Sequence, residues 1–434
     1  LKEVTHSFRR LCPKVWMFES FSKVIEESWS LWPKIADPDL AVRHLAYWIE
    51  ALPHEKNIWE FFAKSPKGFS ILLSLFGYSR YLSRIVIRSP GEWEWLQDPA
   101  KSELSEAEAF LKTSHPVYSF EDLRYLRHRE TLRIVLAGRV HQASLEALYG
   151  TYSHLADFIL GKIVQSFFSS QDFCVLALGK LGGHELNFGS DIDLMFLAEN
   201  VEDPRHLVHE IQAFTDTLSA GSSDDLLYRV DLRLRPHGYH GALFMSGQDY
   251  LDYYRHQAEP WEHQALIKTR AVAGRKPLGE KLIREFEASI YPRQRDSREW
   301  QSLREVKRRS EAETRAKKEF DTHVKLGWGG IRDIEFSVQY LQLRHGFQYP
   351  FLRMPNTLQA LEGLEKQKLI SQKDAQKLKN GYLFLREVEN YLQLYDNKQV
   401  FNLPKEQEKL RSLAKALGFY DTEFQHAEYI FSKK

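Results

Sequence analysis

Asp191, Asp193 and Asp231 are the side chains in this chain best suited to do chemistry. Asp191 and Asp193 stand two residues apart at the start of the run D-I-D-L-M-F-L-A. In an extended strand successive side chains take opposite faces. Both carboxylates therefore leave one face, while Ile192 and Leu194 leave the other toward a core. Two like charges side by side repel and resist desolvation unless a cation lies between them. Mg²⁺ is the expected cation, because it takes carboxylate oxygens and keeps sites for water or phosphate. Residues 226–236, LLYRVDLRLRP, alternate apolar and charged side chains, which predicts a second strand with Asp231 among Arg229, Arg233 and Arg235. Laid beside the first strand, it would add Asp231 as a third carboxylate, with Arg233 and Arg235 where phosphate oxygens gather. Taken alone, an Asp-x-Asp pair is more often the solvent face of an edge strand, and a charged strand face is as often a solvated face with ordinary ion pairs as a site.

The stretch before the pair favours a site. Residues 173–178 are almost wholly apolar and predict a buried strand that stops at Gly179. Gly179, Gly182, Gly183, Gly189 and Ser190 follow within a dozen residues, a composition for a backbone that turns sharply or approaches a ligand. Backbone N–H groups of Gly182 and Gly183 and the Ser190 hydroxyl are candidate phosphate donors. Lys180 is followed by Leu181, so the turn is neither a P-loop nor a dinucleotide fingerprint. A glycine turn leading to Ser-Asp-x-Asp resembles the polymerase-β-like nucleotidyltransferases. That resemblance implies an α+β fold in which a small mixed sheet with helices carries the site.

The elements around the motif are helical. Apolar residues recur at helical spacing in 18–32 and 40–52, and 69–87 predicts a helix pair broken near Gly77. Residues 118–168 and 205–218 give further amphipathic helices. The densely charged 293–318 predicts a long solvated helix, and 331–343, 358–369, 374–394 and 406–417 a terminal bundle. Asp333 and Glu335 stand near the start of one of these helices, where acids suit the helix dipole. The expected division is an N-terminal helical region at 1–112, a nucleotidyltransferase domain at 113–275 and a C-terminal helical bundle at 276–434.

Composition narrows the partners. Lys and Arg number 60 against 59 Asp and Glu, a net charge of +1, so no global field draws the chain to nucleic acid or an anionic membrane. The two cysteines, Cys12 and Cys174, suggest no disulfide framework, and a cytoplasmic location is expected. No leader and no apolar run of about 18 residues shows in the sequence. The chain opens on Leu1 rather than Met, as expected of a fragment or a trimmed start.

Four segments, GKLGGHELNFGSDIDLMF, YRVDLRLRPHGYHGAL, DYYRHQAEPWEHQALIKTRAVAG and KLGWGGIRDIEFSVQYLQLRHG, resemble in sequence and in order the glutamine synthetase adenylyltransferase family. The resemblance implies an enzyme that attaches AMP to a tyrosine of glutamine synthetase from ATP, or removes it by phosphorolysis with release of ADP. One Asp-x-Asp motif means one half of that long chain or a single-domain relative. N-F before the serine, Ile192 between the carboxylates, KLGWGGIRDIEF and YLFLREVENYLQL are more similar to the removing half, whereas WEHQAL is more similar to the transferring half. The implied mechanism uses two Mg²⁺ ions on Asp191, Asp193 and Asp231, with phosphate and ADP, or ATP, as small-molecule partners. Attaching AMP would need a base for the tyrosine hydroxyl, and Asp231 is the candidate. A PII-type signalling protein is a further partner the family suggests. The rival readings are a docking module with a degenerate site and a nucleotidyltransferase acting on nucleic acid.

Overall fold

The computed structural model describes residues 19–28, 30–52, 59–60, 62–63, 66–89, 103, 105, 119–168, 172–316 and 319–420; Cys12 lies outside them. The fold is mixed α+β, mostly helical, with one small mixed sheet. Its residues gather into two compact units. One takes Leu1–Phe110, Thr131–Ser144 and Glu387–Lys434, the other Leu111–Glu130 and Leu145–Arg386.

The first unit is helical. It contains α1 (Glu19–Glu27), α2 (Pro38–Ala51), α3 (Pro66–Tyr78) and α4 (Arg80–Arg88). Asp37 caps α2 by accepting the Leu40 N–H, and a proline in the first turn fits the same start. The break expected near Gly77 falls at Ser79, which turns extended and caps α4 through the Leu82 N–H at 3.1 Å. Trp48, Phe62, Phe69 and Phe76 form its aromatic centre, with ring centroids 5.4–6.3 Å apart.

Along the chain follow α5 (Phe120–His141), α6 (Leu145–Phe167), β1 (Phe173–Leu178), β2 (Ile192–Ala198), α7 (Pro204–Ser219), β3 (Val230–Asp231), β4 (Phe244–Met245), α8 (Gly247–His256), α9 (Pro260–Leu266) and β5 (Arg270–Gly274). Then come α10 (Lys276–Ile290), α11 (Ser297–Ala316), α12 (Ile331–His345), α13 (Thr357–Lys366), α14 (Gln372–Leu394) and α15 (Gln407–Ala416).

The sheet lies in the second unit, in the order β3-β2-β1-β5, with β4 also on β2. β1 runs antiparallel to β2 and β5, and β2 runs parallel to β3 and β4. Both faces are covered. Phe173 and Phe196 stack with Phe168 and Phe214 on one side. On the other, Cys174, Leu176, Leu178, Met195 and Leu197 pack with Tyr250, Tyr254, Leu282 and Phe286. A strand buried on both faces reads as a continuous apolar run, which is why 173–178 was legible.

The eleven-residue strand expected over 226–236 is not there: only Val230–Asp231 is strand. Leu226, Leu227 and Tyr228 are buried one after another, so their alternation with the charged residues is not a two-faced strand. After Asp231 the chain turns instead of continuing, because Arg235 folds inward and donates to the carbonyls of Leu232 at 2.8 Å, Tyr239 at 3.1 Å and Gly241 at 3.3 Å. A guanidinium with its donors so placed stabilises a turn by occupying carbonyls that a ladder would otherwise use.

Candidate active site

The sheet register brings two of the three carboxylates side by side. Asp193 faces Leu178 across the antiparallel pair and Asp231 across the short parallel one. Asp193 therefore continues the row of Leu197 and Met195, whose side chains pack in the core, and at the open end of that row its own side chain is half-buried. Gly179, at φ +54, lays its backbone against the carboxylate, where any β-carbon would collide with Oδ2. Among the described residues the Asp193 carboxylate has no hydrogen-bond or ion-pair partner. Burial first, then the charge of Asp231 and less that of Asp191, push its carboxyl up to about 6, against the opposing pull of Lys325 and Lys180.

Its neighbours are held by arginines. Asp191 accepts from Arg229 Nε at 3.1 Å, and the same guanidinium donates to the Gly189 carbonyl at 2.7 Å. Asp231 accepts from Arg233 Nε at 2.8 Å and from the Arg233 N–H at 2.8 Å. Burial raises the Asp231 carboxyl, but these bonds and the arginine charge outweigh it and hold it below the usual carboxylate range. No three His, Cys, Asp or Glu side chains among the described residues converge to hold one ion. The adjacent pair Asp193 and Asp231 nevertheless fits Mg²⁺, which binds through one or two carboxylates and leaves its other positions to water and phosphate. A half-buried carboxylate with a like charge beside it and no cation paired to it is the donor such an ion satisfies.

The glycine turn is built for close packing. Gly179–Gly182 form a single helical turn directly after β1. A β-carbon at Gly182 would run into the carbonyl of Lys268 and lie 2.7 Å from that of Ala177, so glycine is required there by the neighbouring backbone. The Gly183 N–H already donates to the Gly179 carbonyl at 3.0 Å, and the Ser190 N–H to that of Asn187 at 3.2 Å. Of the expected phosphate donors, the Ser190 hydroxyl has no partner among the described residues, while Arg235 is turned onto its own loop.

A buried charged cluster beneath the turn escaped the sequence reading. Lys268 Nζ donates to Glu185 Oε2 at 2.6 Å and to Glu335 Oε1 at 3.2 Å. Glu185 also accepts from the Thr357 N–H and hydroxyl, and its own carbonyl accepts from Arg386. Burial would lift the Glu335 carboxyl, yet Lys268 first and Arg386 second hold it down at about 2. Against its own burial, the two glutamates raise the Lys268 ammonium above its usual range. The only available signal was a lone lysine ahead of the apolar run A-V-A of β5. Asp333 does take the capping place expected of it, accepting from the Gly329 N–H at 2.9 Å, whereas Glu335 belongs to the cluster. Lys180 donates to the buried Asn187 side chain at 3.1 Å.

Known proteins place these segments. The family model Glutamate-ammonia ligase adenylyltransferase matches residues 69–285, half of the chain, and a model for GlnD PII-uridylyltransferase matches residues 301–433. A protein of Methylococcus capsulatus named bifunctional glutamine synthetase adenylyltransferase/adenylyl-removing enzyme is 41% identical over 260 residues, 58% of this chain and 27% of that one. Proteins of the same name from Nitrosomonas europaea and Shewanella loihica are each 30% identical, over 82% and 85% of this chain and 42% and 43% of theirs. The chain thus spans less than half the length of each of these relatives.

Proposed function

The chain belongs to the glutamate-ammonia ligase adenylyltransferase family, and from that premise we propose that it moves an adenylyl group to or from glutamine synthetase at Asp193. The proposed direction is removal. An oxygen of inorganic phosphate attacks the phosphorus of the tyrosine-bound AMP, the bond from phosphorus to the tyrosine oxygen breaks, ADP leaves, and the tyrosinate takes up a proton. The observation that carries the reading is the unpartnered Asp193 carboxylate beside Asp231, at the end of a glycine turn within the segment the family model matches.

Asp193 and Asp231 would hold Mg²⁺, with Asp191 next to them; when bound, the metal neutralises charge on the phosphoryl oxygens and aligns the reacting groups. The chain's own part is positional. Gly179 sets the Asp193 carboxylate against the turn, Arg233 fixes Asp231, and Arg229 fixes Asp191. The apolar packing of Met195 and Leu197 behind Asp193 lowers the local dielectric and strengthens the charge interactions in front of it. Phosphate is anionic at neutral pH, so removal needs no strong base; attachment to a tyrosine would. The proposed fold of this domain is the polymerase-β-like one, supported by the glycine turn that leads into Ser190-Asp191-Ile192-Asp193 on a mixed sheet. The match of residues 301–433 to the GlnD PII-uridylyltransferase model supports a PII-type protein as a further partner.

Two parallel incubations test this reading: Mg²⁺ and phosphate with adenylylated glutamine synthetase, and Mg²⁺ and ATP with the unmodified enzyme. ADP released only when phosphate is present is the expected result. AMP attached from ATP would reverse the direction, and no reaction in either incubation would overturn the assignment.

A further inference from the structure

The peptide between Leu232 and Arg233 is bonded at both of its polar ends. Its N–H donates to Asp231 Oδ1 at 2.8 Å, and its carbonyl accepts from Arg235 Nη1 at 2.8 Å and from the Arg235 N–H at 3.4 Å. This peptide is trans. A trans peptide is rigid and planar, with its C=O and N–H pointing opposite ways, so a bond that fixes the carbonyl also aims the N–H.

Arg235 is placed to hold that carbonyl. It is buried, and further donors of its guanidinium go to the Tyr239 carbonyl at 3.1 Å and the Gly241 carbonyl at 3.3 Å. One side chain thereby closes the loop from Leu232 to Gly241 on itself. The loop is tight, since a β-carbon at Gly241 would run into the Pro236 carbonyl. Both of its ends are tied to β2, Asp231 beside Asp193 and Phe244 beside Phe196. Arg233 also grips the Asp231 carboxylate, Nε standing 2.8 Å from Oδ2, but its side chain is exposed and exposed side chains change rotamer readily. The backbone N–H is the steadier bond, for as long as Arg235 keeps the carbonyl.

We propose that Arg235 is a positioning residue for adenylyl transfer: by clamping the Leu232 carbonyl it aims the Arg233 N–H at Asp231, and so holds that carboxylate beside Asp193 for a divalent cation. This rests on the adenylyl-transfer reading above and deepens it. The second arginine of the run D-L-R-L-R then acts through the backbone and not on phosphate, because its donors are taken by three carbonyls. Groups that orient a metal-binding side chain in this way typically set metal affinity or activity by about 10- to 100-fold.

The test titrates Mg²⁺, with ADP present, into the whole chain, Arg235→Met and Arg235→Lys, following the rise in melting temperature that binding brings. Phosphate-dependent ADP release from adenylylated glutamine synthetase is measured on the same samples. For Arg235→Met we expect half-saturation at about tenfold more Mg²⁺ and a kcat at least about tenfold lower. KM for the adenylylated protein should stay within about twofold, since Arg235 does not touch it. Arg235→Lys can serve the Leu232 carbonyl but cannot span to Tyr239 and Gly241 as well, so it should recover part of both losses. A lysine variant no better than Arg235→Met would mean loop closure alone and overturn the proposal. So would a folded Arg235→Met with unchanged Mg²⁺ half-saturation and kcat, or with only KM raised; each of these leaves the adenylyl-transfer reading standing. If Arg235→Met does not fold, Arg235→Gln replaces it, and failure of both to fold overturns a positioning role in favour of a structural one. An unaltered chain that neither responds to Mg²⁺ nor releases ADP overturns the adenylyl-transfer reading and the proposal with it.

Discussion

Asp193 and Glu335 are two half-buried carboxylates with opposite thermodynamic signs. The Asp193 carboxyl is raised to about 6, so its ionisation in the fold costs stability as pH climbs from about 4 through 6. Asp193→Asn removes that cost. Without added metal it should stabilise the chain by about 1–2 kcal/mol at pH 7, and the gain should vanish near pH 4. Glu335 is held down at about 2, so its contribution is complete above about 4.5 and is lost as pH falls toward 2. Glu335→Gln should cost about 2–4 kcal/mol at pH 7, with the deficit shrinking below pH 4, because Lys268 keeps only Glu185. Melting temperatures of both variants from pH 3 to 8 check the pair; parallel pH curves would contradict it. The Asp-x-Asp spacing made Asp191 and Asp193 legible as candidates. Glu185, Lys268 and Glu335 were not, because they lie 83 and 67 residues apart and only the packing of the turn brings them together.

At the scale of elements, β1 and β2 were readable because strands buried on both faces leave unbroken apolar runs. The helices α1 to α7 and α11 to α15 fall in segments where helices were expected, and the break between α3 and α4 near the expected small residue, whereas α8, α9 and α10 were not expected. The strand expected at 226–236 failed for a physical reason: alternation in sequence does not report whether an arginine will turn inward and take the backbone's carbonyls. The glycine turn sits between these cases. Its glycines were legible as a mark of close approach, but at Gly182 the approaching group is the Lys268 carbonyl of the same chain. Gly182→Ala should therefore cost about 1–3 kcal/mol by overpacking, measured by denaturant unfolding. It should also displace the turn and lower turnover. Unchanged stability would show that the turn has room the packing denies.

At the scale of the molecule, a net charge of +1 gives no field that would gather nucleic acid, and the site depends on local charge instead. The described residues hold no helix long and apolar enough to cross a membrane. The expected boundaries at 112 and 275 would part Glu185 and Lys268 from Glu335, Thr357 and Arg386, to which they are bonded. A fragment of 113–275 should accordingly lack the cluster that supports the turn, and the whole chain is the sample to assay. The central claim is that adenylyl transfer takes place at Asp193. The most direct measurement compares the whole chain with Asp193→Asn, following ADP release from adenylylated glutamine synthetase with Mg²⁺ and phosphate. We predict that the variant melts no lower than the unaltered chain and loses at least a hundredfold in rate, the scale of several kcal/mol of lost charge stabilisation. A folded variant that turns over at the unaltered rate would contradict the account.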